Sequence, residues 1–254
     1  MLDISAIANF AEAMDNNGLH RYLHAEPGAG GMSPAQRAAH ISQHPRRILI
    51  GGNQIGKSRF LAAESWWLAS GAHPFRAAPA PGSIGWIVCA DLRGGWPNIS
   101  RKLREIEPPG ILDPRQKYDD ARGYTFSGAR MIRLSNGSLI FGRSGTQELI
   151  SLSGATIHWL AFDELPKVGH FSEARSRVAV TGGPVIMGFT PIGRPIDFLR
   201  DTVEGNPETG AAAREEWDLS LIHTGRCRRR PTRRRGWGGG GEKESENERI
   251  YQDG

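Results

Sequence analysis

Short apolar runs alternate along this chain with longer stretches of helical spacing. Four runs read as buried strands: residues 48–50 at the end of RRILI, 83–91, 155–164 and 183–191. Between them, KSRFLAAESWWLASG reads as a helix stopped by Gly71. Residues 97–106 and 172–180 also read as helices. The segment from Ser33 carries Pro34 behind a capping serine, which predicts a helix start. Residues 1–24 place Ile4, Ile7, Phe10, Ala11 and Met14 at helical spacing and read as one helix. Asn136-Gly137 between two apolar runs predicts a hairpin, and the stretches 26–33 and 74–82 read as loops. Strands alternating with helices predict an α/β fold with a mostly parallel sheet flanked by helices.

Composition narrows the class. With 254 residues, 38% hydrophobic and 23% charged, the chain has material for a packed core. No run of 18 apolar residues occurs, and the first residues lack a basic stretch followed by an apolar block, so neither a membrane span nor a secretory leader is expected. Two cysteines, Cys89 and Cys227, allow no disulfide framework and fit a reducing cytoplasm. The net charge of +5 is unevenly placed: residues 224–254 hold nine basic and five acidic side chains, leaving 23 and 22 for the rest. A nearly neutral body gives little support for nucleic-acid binding by charge alone.

The chemistry concentrates at three strand ends. Gly51, Gly52, Asn53, Gln54, Ile55, Gly56, Lys57 and Ser58 match G-x-x-x-x-G-K-[ST], directly after a strand and opening a helix. Glycines let backbone amides wrap an anion, and the helix N-terminus favours negative charge. Lys57 is expected to reach the β- and γ-phosphates of ATP, and the Ser58 hydroxyl to bind Mg²⁺. The apolar run WLAF ends in Asp163 and Glu164. At the carboxyl end of a parallel strand, Asp163 would hold Mg²⁺ through water, and Glu164 would orient and polarise the attacking water. Thr190 closes the fourth strand, where a hydroxyl could sense the γ-phosphate.

These residues resemble the ATPase domain of the large terminase subunit of tailed bacteriophages. The resemblance covers about residues 35–220 and rests on the Gly-Gly-Asn-Gln form of the loop, on Ser153, Gly154 and Trp159 before the acidic pair, and on Thr190-Pro191. It implies a RecA-like (ASCE) P-loop NTPase that couples ATP hydrolysis to movement of double-stranded DNA into a capsid. In that reading DNA is gripped through its backbone, copies form a ring, and a portal and a small terminase subunit are partners in the host cytoplasm. Lys57 and Ser58 then serve nucleotide and Mg²⁺, Asp163 and Glu164 metal and hydrolysis, and Thr190 coupling to DNA movement. Two departures stand out. Asn53 occupies a place where some terminases carry arginine, so Arg93, Arg143 or a neighbouring subunit would supply that charge. The chain also ends before an RNase H-type nuclease domain would fit, so nuclease activity is not expected. A helicase or AAA-like ATPase, or a prophage fragment that only binds nucleotide, are the alternatives.

The domain reading is a helical lead (1–34), an ATPase domain (35–223) and an Arg/Gly-rich tail expected to be disordered (224–254). Seven arginines fall within residues 226–235, with no apolar period. Such a tail reads either as a DNA-binding arm or as translation of a shifted frame in a GC-rich gene. Elsewhere, Trp66 and Trp67 read as one core and one surface contact, His158 as a packed strand residue, and Asp119-Asp120 as a solvated loop.

Overall fold

The computed structural model describes residues 17–146 and 155–190, and the backbone of residues 218–221. The expectations for residues 1–16, for Ser153 and Gly154, for Pro191 and for the tail lie outside these. All described residues belong to one compact unit, residues 1–224.

Five α-helices are described, α1 (Gly18–His24), α2 (Pro34–Ile41), α3 (Lys57–Ser70), α4 (Gly95–Glu105) and α5 (Val168–Ala179), besides a short 3-10 turn at Pro27–Ala29. The strands are β1 (Arg46–Ile50), β2 (Ile84–Cys89), β3 (Lys117–Asp119), β4 (Gly123–Thr125), β5 (Met131–Arg133), β6 (Leu139–Ser144), β7 (Trp159–Asp163), β8 (Val185–Phe189) and β9 (Asp218–Leu221). Seven of them form one sheet in the order β5-β6-β2-β7-β8-β1-β9, and every pairing is parallel except β5 with β6. One strand, β8, stands between the strand leading into the glycine loop and the strand ending in the acids, which is the RecA-like arrangement.

Strand alternation sorts side chains between two layers. Leu49, Ile87, Trp159, Ala161 and Ile186 face α3 and α4, whereas Ile48, Trp86, Leu160, Phe162 and Met187 face α5. The central helix α3 is buried nearly all round, through Phe60, Leu61, Ala62, Ala63, Trp66 and Leu68. Full burial of each large side chain here contributes roughly 1.5–3 kcal/mol. Gly188 on β8 lets this helix approach: a Cβ there would lie 3.3 Å from Lys57 Cβ and from Leu61 Cδ1.

Several local signals act as read. Ser33 and Gln36 form a reciprocal capping box at the start of α2, with Pro34 in its first turn. Gly71 ends α3 at φ +79. The Asn136-Gly137 turn joins β5 and β6, with Ser138 N–H donating to Asn136 Oδ1 at 2.9 Å. His158 lies just before β7, and its Nδ1 accepts from Ile84 N–H at 3.0 Å, a packing role. Asp119 and Asp120 are exposed, although Asp119 also ends β3.

Two readings need correction. A single helix over residues 1–24 does not form, because Asn17 has extended backbone angles and its side chain caps a helix that begins at Gly18. Asparagine competes for backbone N–H groups and so starts helices more readily than it continues them. Trp67 is not a surface residue: it is 4% exposed, packed among the rings of Tyr22, His40, His73 and Phe75. These neighbours come from α1, α2 and the loop after α3, which the pattern of α3 alone does not reveal.

Candidate functional site

The sheet register brings three strand ends together. Ile50 lies opposite Phe189, and Asp163 opposite Gly188. Gly51, Thr190 and Glu164, each one residue past its strand, therefore emerge side by side at the carboxyl edge of β1, β8 and β7. Gly51 N–H donates to Phe189 O at 3.3 Å, and Glu164 N–H to Gly188 O at 3.0 Å.

The loop over residues 51–56 is built to display backbone. Gln54 (φ +66) and Gly56 (φ +88) are both left-handed, a pattern that turns amides toward one side. Gly52, Asn53 and Gln54 are exposed. Lys57 lies across the loop, its Nζ donating to Gly51 O at 3.0 Å and Gly52 O at 2.6 Å. Burial lowers its pKa, while Glu164 and Asp163 pull the other way.

Ser58 Oγ donates to Asp163 Oδ1 at 2.9 Å, so the loop serine and the strand acid converge across 105 positions of sequence. Burial raises the Asp163 carboxyl to about 6, and Glu164 adds to the rise against the Ser58 hydrogen bond. A half-buried carboxylate whose one hydrogen-bond partner is a neutral hydroxyl favours a cation beside it. Mg²⁺ is ordinarily held by one or two protein oxygens together with phosphate oxygens and water, and Ser58 with Asp163 fits that donor set. Among the described residues no cluster of three or more His, Cys, Asp or Glu could hold a metal on its own.

Glu164 stands at φ +97, where a non-glycine residue costs on the order of 1–3 kcal/mol. Its neighbours in sequence form the wall of a cleft of about 640 Å³ between Val88–Asp91, Gly145, Thr146 and residues 164–168. The phosphate-loop residues are not among its walls. Thr190 Oγ1 donates to Asn53 Oδ1 at 3.2 Å, so the third strand end touches the loop directly.

The two arginines considered for the missing charge do not join the loop. Arg93 is exposed, its N–H held by Asp91 Oδ1 at 2.7 Å. The Arg143 guanidinium stacks over Trp86 (4.9 Å) and Phe141 (5.1 Å), in the layer opposite α3.

Sequence reasoning missed Gln36. Its side chain accepts from Ser33 N–H at 2.7 Å and donates to Gly56 O at 2.9 Å, tying α2 to the last residue of the loop. The capping-box spacing was readable, but the second contact crosses 20 residues and leaves no local trace.

No protein-family model matches the chain, and no curated protein sequence does. Solved structures give partial likenesses. The large terminase ATPase domain of Thermus phage P74-26 is 21% identical, with 74% of this chain and 80% of that chain covered at a TM-score of 0.49. A large terminase from a thermophilic bacteriophage is 15% identical, covering 82% and 44% at 0.46. The large terminase of bacteriophage HK97 is 12% identical, covering 62% and 33% at 0.44. The chain thus spans less than half the length of those last two proteins. With every one of these TM-scores below 0.5, the fold assignment rests on strand order and the phosphate loop: the protein is an α/β P-loop NTPase fold.

Proposed function

We propose that this chain is a Mg²⁺-dependent ATPase domain of the terminase type, working in a motor that moves double-stranded DNA. The observation that carries the nucleotide reading is the convergence of Lys57, Ser58, Asp163, Glu164 and Thr190 at one sheet edge, from three adjacent parallel strands. The DNA-packaging reading rests on the sequence resemblance in the loop and at Thr190.

In this reading the amides of residues 51–56 and the Lys57 ammonium bind the β- and γ-phosphates. Lys57 exchanges its contacts with two neutral carbonyls for charged phosphate oxygens, a gain in charge-assisted hydrogen bonding. Ser58 and Asp163 would hold Mg²⁺, which would supply charge neutralisation at the phosphates. Glu164 orients the water and takes its proton, from a left-handed backbone position just past the strand end. Thr190 reports the state of the loop through Asn53 to the segment that follows β8.

ATP hydrolysis measured with and without Mg²⁺, and with and without linear duplex DNA, tests the proposal. Turnover that needs Mg²⁺ and rises with DNA is expected. Absence of ATP binding would remove the nucleotide reading. Binding and turnover indifferent to DNA would leave an ATPase and remove the motor.

No helix among the described residues is long and apolar enough to cross a membrane.

A further inference from the structure

A second polar cluster lies two turns along α3 from Lys57. Glu64 is fully buried there, and Arg47 of β1 grips it with two hydrogen bonds, Nη1 to Oε1 at 2.6 Å and Nη2 to Oε2 at 2.8 Å. Arg47 Nη1 also donates to Ala39 O of α2 at 3.0 Å. His40 of α2 meets Glu64 Oε1 at 2.6 Å through Nδ1, and Tyr22 of α1 meets His40 Nε2 at 3.0 Å. His73 completes the ring of donors at Oε2, 3.2 Å away. Burial would raise Glu64, but the Arg47 charge and the donors from His40 and His73 hold it well below the usual carboxylate range. Burial also holds His40 down to about 4, so the ring is neutral at pH 7. An ionised Glu64 can only accept, so His40 donates from Nδ1 and accepts the Tyr22 hydroxyl at Nε2.

The cluster sits on both flanks of the phosphate loop. Arg47 lies four residues before Gly51, in the strand that enters the loop, and Glu64 lies on the helix that leaves it. Gln36 and His40 are four residues apart on α2 and share one face. Gln36 holds Gly56 O while His40 holds Glu64, so α2 is pinned both to the end of the loop and to α3. Gln36 packs so closely that a Cβ on Gly56 would lie 2.5 Å from its Nε2.

We infer that Gln36, His40, Arg47 and Glu64 are positioning residues for phosphate binding: they lock β1 and α3 to α2, and thereby fix the direction in which the loop presents its amides and Lys57. The inference rests on the nucleotide reading above and extends it to residues that touch no phosphate. A hub serving stability alone would give a different result in the following test.

The test uses the full chain with two variants, and with ATP and inorganic tripolyphosphate as probes. Arg47→Met with Glu64→Gln removes both buried charges together, an exchange that buried ion pairs often tolerate without loss of fold. Gln36→Leu removes the Gly56 contact and leaves the charged pair intact. Both are expected to weaken ATP and tripolyphosphate by the same factor, about tenfold or more, since small displacements of preorganised groups are costly. Wild-type affinity for both probes in a folded paired variant would reduce the cluster to a structural role and overturn the inference. If the paired variant does not fold, Gln36→Leu decides by the same criterion. Loss of ATP but not of tripolyphosphate in Gln36→Leu would assign Gln36 to the nucleoside instead, and also overturn it. If the wild-type chain binds neither probe, the nucleotide reading itself falls and the inference with it.

Discussion

Asp163, half-buried at the end of β7, and Glu64, fully buried on α3, are both carboxylates withdrawn from water, yet their environments drive them in opposite directions. Glu64 receives hydrogen bonds from Arg47, His40 and His73 and is held well below its ordinary pKa. Asp163 receives one from Ser58 and is raised to about 6 by burial. Loss of water pushes both upward, and Glu64 is the more completely buried, so the difference lies in the cations around them. A saturated acid holds structure together, whereas an acid with spare acceptor capacity at a strand end can take a metal ion. The strain at Glu164, next to the unsaturated acid, belongs with that second kind of site.

The largest effect that would sharpen this contrast is on rate. Glu164→Gln keeps size and hydrogen bonding but cannot take a proton. ATP turnover should fall by about 10²–10⁴-fold with little change in ATP affinity, measured by steady-state hydrolysis beside equilibrium binding. Near-normal turnover would move the base elsewhere.

On the other side, Glu64→Gln leaves the Arg47 charge buried without its partner. Urea denaturation should show a loss of about 3–5 kcal/mol. A loss under about 1 kcal/mol would mean that the cluster is not saturated in the way described.

The pH dependence of stability should also come from the closed cluster. His40, facing Glu64, Arg47, His73 and Tyr22, has its pKa lowered from 6.5 to about 4. The unfolded chain therefore binds more protons between these values. Stability contributed by neutral His40 is full above about 6.5 and is lost as pH falls toward 4, by about 3 kcal/mol. Denaturation at about pH 7 and about pH 4.5 should show a smaller drop in His40→Gln than in wild type.

Lys57→Ala should weaken ATP by about 1.5–3 kcal/mol, the worth of a charge-assisted contact. It should barely change melting, because the lysine's present partners are carbonyls of the exposed loop. Smallest is Asp163→Asn. Replacing a half-buried carboxylate that has no cation in contact should raise the stability of the free protein by about 1 kcal/mol, while reducing the response to Mg²⁺. Destabilisation by that change would end the contrast with Glu64.

Much of the site was legible because its signals are local. The phosphate loop, the acids closing an apolar run, the Ser33-Pro34 helix start and the Asn136-Gly137 turn each depend on a few adjacent residues. The short pair β3–β4 and the edge strand β9 escaped notice, since three or four residues carry too little pattern. The contact of Thr190 with Asn53 escaped because strand order makes them neighbours, and that of Gln36 with Gly56 because α2 packs against the end of the loop; spacing shows neither.

The sequence by itself determined the central strands and the main helices between them, several glycine turns, and the order in which lysine, serine, aspartate, glutamate and threonine follow those strands. Backbone sterics and side-chain period act over a few residues, so those features can be read in one dimension. Only the tertiary structure decided that β8 lies between β1 and β7, that Trp67 is enclosed, and that Arg47 and Glu64 meet while Asp163 meets only a hydroxyl. Charge and burial act through space, and whether an acid is saturated or open depends on which elements pack around it.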